Sequence, residues 1–234
     1  MAGKKYIEAK KLIEDRFYEI DEACELLKKT NPTKFDASCE VHLNLGLDPK
    51  HAEQNIRTTV SLPNGTGKDV RVVAFVDDGK VKEALGAGAV KAGTEELITA
   101  IEGGWLEFDV AIATPDQMKL LGKIAKVLGQ KKLMPNPKAG TVTLEVAQTI
   151  SDLKKGKIEI RLDKLANVHN LFGKVSFDAP KLAENLRTII KTIKDIKPAT
   201  SKGTYIKTIV VTTSMGPSIK LDVNTALESV SNMK

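Results

Sequence analysis

From Ala37 to Leu45 the chain alternates strictly: Ala37, Cys39, Val41, Leu43 and Leu45 are apolar, while Ser38, Glu40, His42 and Asn44 are polar. Period two sends the two sets to opposite faces, so the segment predicts a half-buried strand whose polar face is free to meet a partner. The segment before it keeps a different rhythm. Ile7, Leu12, Ile13, Ile20, Ala23, Leu26 and Leu27 recur at helical spacing through "KKYIEAKKLIEDRFYEIDEACELLKKTN", which stops at Asn31-Pro32. After the turn-rich "LPNGTGK" the style changes again. "DVRVVAFVDD" is a near-continuous apolar strand, followed by helical "GKVKEALGAGA", the strand candidate "FDVAIATPD" and helical "QMKLLGKIAKVLG". Strands alternating with helices predict a parallel sheet covered on both faces.

Past "SDLKKGK" the period-two signal returns. Ile158, Ile160 and Leu162 alternate with Glu159, Arg161 and Asp163, and Gly173, Val175 and Phe177 alternate with Lys174 and Ser176. "APKLAENLRTIIKTIKDIK" predicts a helix, with Pro180 near its start and Pro198 just past its end. "TYIKTIVVTTSMGPSIKLDV" predicts a strand, a tight Met-Gly-Pro turn and a short strand. The flanking sections share one style and the middle another. The expected organisation is therefore a discontinuous domain, residues 1–67 and 157–234, interrupted by an inserted α/β domain over 68–156, with the two chain crossings acting as a hinge.

The chain has 234 residues, 41% of them hydrophobic and 28% charged, ordinary values for a soluble globular protein, and no apolar run approaches the roughly 20 residues of a membrane span. No secretory signal is evident at the basic, amphipathic N-terminus, so a cytoplasmic location is expected. Cys24 and Cys39 are too few for a disulfide framework or a zinc site. A net charge of +6 favours anionic partners, while aromatics at 4% argue against a row of rings stacking unpaired bases. A nucleic-acid partner would be gripped through backbone and shape.

Motifs of catalysis fail on inspection. "GTGK", Gly65 to Lys68, has Leu62 where a phosphate-binding loop needs its leading glycine and Asp69 where it needs Ser or Thr, so it reads as a boundary turn. "GAGAVKAG", Gly86 to Gly93, follows a helix and has Lys91 in place of the third glycine of a dinucleotide fingerprint. His42, His51 and His169 are far apart in sequence and lack metal-ligand spacing. With no nucleophile elbow and no distinct carboxylate pair, neither enzyme activity nor a cofactor is expected. The competing classes are an RNA-binding component, a nucleotide-dependent enzyme built on the insert, and a protein-only interaction module.

"VHLNLGLDPKHAEQNIRTTVSLPNGTGK", "ATPDQMKLLGKIAKVLGQKKLMPNPKAGTV", "GKVSF" and "VTTSMGPS" together resemble the bacterial form of ribosomal protein L-one, the large-subunit protein of the mobile side stalk. The likeness runs in order over nearly the whole chain. Thr58 stands where the family has glycine in "RGTV", and Gln130 and Lys132 stand where "GPRGLMPNPK" has proline and glycine. The resemblance implies an α/β fold, with an α+β two-layer terminal domain that binds RNA and an inserted three-layer Rossmann-like domain. It implies as partners the stalk region of large-subunit rRNA, exit-site tRNA and the protein's own operon mRNA, whose translation it would repress. A ribosomal, cytoplasmic location and a monomeric free protein accompany it.

A mechanism follows from the alternation. The polar faces carrying Ser38, Glu40, His42, Arg161, Lys174 and Ser176 should form one hydrophilic sheet surface, with Lys34 and Phe35 at its entrance. Hydroxyls and carboxylates suit ribose 2′-hydroxyls, and basic residues suit phosphates. By resemblance Phe35 and the turn Thr213, Ser214, Met215 and Gly216 are contact residues, Gly216 allowing close backbone approach. His169 and Thr208 complete the expected RNA-binding set. Residue types alone would place Phe35 in the core and Met215 in a plain turn. "KKLMPNPKAGTV", Lys131 to Val142, reads as a rigid turn of the insert, because its prolines restrict the backbone and Gly140 permits a bend. Lys131, Lys132 and Lys138 are positioned to add phosphate contacts from the side.

Overall fold

The structure is a computed structural model and describes residues 3–231. The outermost positions of the expected terminal domain, residues 1, 2 and 232–234, lie outside the described residues. In chain order the elements are α1 (Lys4–Lys11), α2 (Ile20–Lys29), β1 (Ser38–Leu45), β2 (Arg57–Ser61), β3 (Val72–Phe75), α3 (Asp78–Gly86), β4 (Lys91–Gly93), α4 (Glu95–Glu102) and β5 (Val110–Ala113). A 3-10 stretch, Gln117–Ile124, leads into α5 (Ala125–Gln130) and is followed by α6 (Val146–Lys154), β6 (Lys157–Arg161) and β7 (Asn167–Lys174). The chain continues through α7 (Ala179–Asp195), β8 (Ile206–Thr213), β9 (Ile219–Leu221) and α8 (Val223–Ser231). It divides into two compact units, one made of the chain up to Gly67 and from Ile158 onward, the other of Lys68–Lys157.

The first unit is built on an antiparallel sheet of order β7-β1-β8-β9. Cys39, Val41, Leu43 and Leu45 project from one face of β1 and are buried, together with Ile209 and Val211 of β8 and Phe172 of β7. They pack on α2, α7 and α8 through Leu27, Leu186, Ile189, Ile193 and Ala226. Among the described residues, helices therefore cover one face of the sheet only. β2 and β6 pair separately as a two-stranded sheet, with Arg57 and Glu159 hydrogen-bonded across it.

One buried amide organises this unit. Asn185 of α7 donates to the carbonyls of Phe172 and Gly65, both at 2.9 Å, and accepts from the backbone N–H of Asn64 at 3.1 Å. It thereby ties α7 to β7 and to the "NG" turn just before the chain leaves the unit. At Phe172 the β1–β7 register slips, since Cys39 faces Gly173 while Glu40 faces Leu171. Such a bulge leaves backbone groups without ladder partners, and Asn185 supplies one.

The second unit has a parallel sheet of order β4-β3-β5. Val72, Ala74 and Val76 meet Ala84, Val146 and Ile150 on one face, while Val73 and Phe75 meet Leu97, Ile101, Leu121, Ile124 and Leu128 on the other. Residues buried on both faces explain the unbroken apolar run of β3. The Lys131 to Val142 stretch docks beside β5: Ala113 N donates to Thr141 O at 2.9 Å, and Thr143 N donates to Ala113 O at 3.1 Å. Within it the Asn136 side chain accepts from Lys138 N at 2.8 Å, Thr141 Oγ1 accepts from Asn136 N at 2.7 Å, and Gly140 turns with φ 65°.

Three local expectations are corrected. The single N-terminal helix is two, because the buried Tyr18 pairs with β9: its N–H donates to Lys220 O, and its carbonyl accepts from Asp222 N, both at 3.0 Å. Ile7 and Leu12, counted in the helical stripe, stay exposed. The strand expected around Gly173 to Phe177 begins instead at Asn167 and ends at Lys174, so Ser176 lies on the following turn.

Candidate nucleic-acid interface

The alternation that buries Val41 and Leu43 turns Ser38, Glu40, His42 and Asn44 to the uncovered face of the sheet. Antiparallel register then sets cross-strand rows. Glu40 faces Leu171 and Thr212; His42 faces His169 and Val210; Asn44 faces Asn167 and Thr208; Ser38 faces Lys174. Residues opposite each other across a ladder lie close enough to interact. Here they do. His42 and His169 bring their Nδ1 atoms to 2.8 Å, and Asn44 donates to the Asn167 side chain at 2.8 Å.

Around that centre the polar groups are interlocked. Ser214 Oγ donates to Glu40 Oε1 at 3.1 Å, and the other Glu40 oxygen lies 3.8 Å from His42 Nε2. His169 Nε2 lies 3.5 Å from Asp163 Oδ2, giving a row of carboxylate, two imidazoles and carboxylate across the face. Burial, then the neighbouring His169, lower the pKa of His42 below its ordinary value, while Glu40 opposes them. Backbone N–H bonds from Asn167 and Leu165, with smaller contributions from the Asn167 and His169 side chains, outweigh desolvation and hold Asp163 below the usual carboxylate range. Lys174 Nζ donates to Ser38 Oγ at 3.1 Å, and Ser176 donates through both N–H and Oγ to the Asp36 carboxylate at 2.9 Å.

The end of the sheet where β1 starts and β8 stops is framed by apolar side chains left in solvent. Ser214 N donates to Ser38 O at 3.0 Å, which closes that end. Phe35, just before β1, is 59% exposed, and Met215, just after β8, is 61% exposed. Lys34 is exposed beside Phe35. Phe35 and Met215 thus leave two large hydrophobic side chains in solvent at the end of an ordered polar surface.

The structure brings together Ser38, Glu40, His42, His169, Lys174, Thr208 and Ser214, with Lys34, Phe35, Ser176 and Met215 around them. Two expected members stand elsewhere. Arg161 belongs to β6, whose partner is β2, so it is exposed on the two-stranded sheet rather than on the four-stranded one. Thr213 is buried, because it continues the inward set of Ile209 and Val211. Gly216 has a role inside the protein: a Cβ there would run into Thr213 Oγ1. Sequence reasoning missed Asp36, Asp163 and Asn167, which orient Ser176, His169 and Asn44. The "DKLAN" turn signal before β7 pointed toward the last two.

A family model described as the ribosomal protein L1p/L10e family matches residues 27–217. The matched span contains every residue of the face described above.

Proposed function

The chain belongs to the ribosomal protein L1p/L10e family, whose members are large-subunit ribosomal proteins that bind rRNA, and we propose that its uncovered sheet face is where it grips that RNA. The observation that carries the proposal is the Glu40–Ser214 hydrogen bond at 3.1 Å, set between exposed Phe35 and Met215. An electronegative face would repel phosphates. A carboxylate already oriented by a serine hydroxyl is instead an acceptor for a ribose 2′-hydroxyl or a base amino group, while Lys34 and Lys174 answer phosphates. The serine hydroxyls are held in place before RNA arrives, so little side-chain freedom is lost on binding.

In this reading the unit formed by the two chain ends carries the rRNA affinity and the insert is the second, Rossmann-like body of a mobile stalk of the bacterial type. Assistance to tRNA leaving the exit site, repression of the protein's own operon mRNA, and a monomeric free protein in the cytoplasm before assembly belong to the same proposal. The motif resemblance supports these parts. The protein acts by binding, without catalysis.

Titration of the stalk region of large-subunit rRNA tests the face. Ser214→Val removes the hydroxyl that orients Glu40 and should cost on the order of 1–3 kcal/mol, about 5- to 150-fold in Kd. Unchanged affinity in a variant shown to be folded by circular dichroism would reject the sheet face as the grip.

A further inference from the structure

The strands of the second unit lie in the order β4-β3-β5, so the chain runs from the central strand to one side and then crosses back to the other. α3 joins β3 to β4 and packs through Ala84 on one face of the sheet, whereas α4 joins β4 to β5 and packs through Leu97, Ile98 and Ile101 on the opposite face. A parallel sheet wound this way opens a crevice beyond the carboxyl ends of the two strands where the winding reverses, here β3 and β5, and ligands of such folds bind there. This unit has that crevice. About 840 Å³ of open space lies among Asp77 after β3, Thr94 after β4 and Gln117 after β5.

Its charge is one-sided. Asp77, Asp78, Glu95 and Glu96 line it without any Lys, Arg or His, in a chain whose net charge is +6. All four are exposed, and none joins an ion pair among the described residues. Carboxylates at the starts of α3 and α4 offset the helix dipoles, which accounts for the sign of the charge. It does not account for Gln117. That side chain is 8% exposed and lines the crevice; its Nε2 donates to Asp77, while its Oε1 is buried with no hydrogen-bond partner. Buried carbonyl oxygens in folded proteins are rarely left without a donor. Asp77, although it stands at the N-cap of α3, makes no side-chain cap bond to that helix.

We propose that this crevice binds an aliphatic polyamine, whose ammonium groups donate to Gln117 Oε1 and to the surrounding carboxylates. An ammonium carries donors only, and these side chains supply the acceptors. A metal ion needs several oxygen ligands converging on one point, and among the described residues no three His, Cys, Asp or Glu side chains are placed to hold one. Carboxylates spread over the starts of two helices suit a flexible chain that carries its charges apart. No Phe, Tyr or Trp lines the crevice to take a cation against a ring face. The four negative charges repel a phosphate-bearing ligand. The crevice lies wholly in the second unit and stands independently of the function proposed for the sheet face.

Isothermal titration calorimetry of the intact, RNA-free protein with spermidine at low salt tests the inference. D78N/E95Q/E96Q changes only exposed side chains and should weaken binding on the order of tenfold. E8Q/E25Q/E228Q removes the same charge from exposed positions of the first unit and should leave affinity within about twofold; a loss equal to that of the first triple would overturn the proposal in favour of diffuse attraction. Gln117→Met, shown to be folded by circular dichroism, removes the unpartnered oxygen and should weaken spermidine roughly threefold or more. Unchanged affinity in that variant would overturn the proposal. Mg²⁺ should bind on the order of tenfold more weakly than spermidine, and equal affinity would overturn an organic ligand. The blocked peptide acetyl-trilysine-amide has the same charge as spermidine and should bind more weakly; tighter binding would overturn a free polyamine in favour of a lysine-rich protein segment.

Discussion

His42 on β1 and His169 on β7 stand directly opposite each other, with their Nδ1 atoms 2.8 Å apart. At that separation one nitrogen donates and the other accepts, so the pair holds no more than one proton between its Nδ1 atoms. Glu40 flanks one ring and Asp163 the other.

This arrangement gives stability a pH dependence of defined sign. The pKa of His42 lies below its ordinary 6.5 in the folded protein, chiefly through burial and then through His169. Around the ordinary histidine range the unfolded chain therefore binds more protons, and unfolding free energy rises with pH. The rise begins near the folded pKa of His42 and levels off above 6.5. Thermal midpoints from pH 5 to 8 should show it, and His42→Gln should flatten it. An identical slope in the variant would refute the assignment.

A second prediction concerns the turn after β8. A Cβ at residue 216 collides with Thr213 Oγ1, so Gly216→Ala should destabilise the protein by about 1–3 kcal/mol. Thr213 Oγ1 is buried with no hydrogen-bond partner, which makes its removal inexpensive. The double variant T213A/G216A should recover most of the loss, as measured by denaturant unfolding of all four members of the cycle. Strict additivity would place the requirement for glycine elsewhere.

The Thr213 case shows what was legible in the sequence and what was not. Ile209, Val211 and Thr213 share one period-two face, so burial of Thr213 was written in the alternation, although the resemblance of the turn that follows placed it among the contact residues. The open face of β1 was equally legible. Its partners were not, because register depends on the Phe172 bulge and on contacts between residues more than a hundred positions apart. In the insert, β4 and α4 escaped notice although Thr94, Glu95 and Glu96 form a helix start before Leu97, Ile98 and Ile101; β4 has only three residues and no clear period. The break between α1 and α2 carried no proline, and the pairing of Tyr18 with β9 overrode helical spacing.

Asn185→Ala should be among the most damaging single changes in the first unit. The amide is fully buried and satisfies Phe172 O, Gly65 O and Asn64 N at once. Truncation leaves those groups without their partner beside a small cavity, and a loss of about 3 kcal/mol is expected. A shift of the denaturant midpoint at constant m-value measures it. A loss under about 1 kcal/mol would mean that water replaces the amide.

Lys132 holds φ 60°, a left-handed conformation, two residues past the end of α5. Its N–H donates to Gly129 O at 3.1 Å, and Leu133 N donates to Leu128 O at 2.8 Å, so the bend closes the helix and cannot relax without breaking both bonds. A non-glycine residue in this region carries about 1–2 kcal/mol of strain, part of which glycine returns as greater freedom of the unfolded chain. Lys132→Gly should therefore stabilise the protein by about 0.5–1 kcal/mol. Lys132→Ala supplies the control, since it removes the same charge but keeps a Cβ in the strained conformation and should give no gain. Both variants lose the same cation, so a difference in their denaturant midpoints reports the backbone alone. Equal midpoints would show that backbone strain at residue 132 contributes nothing to stability.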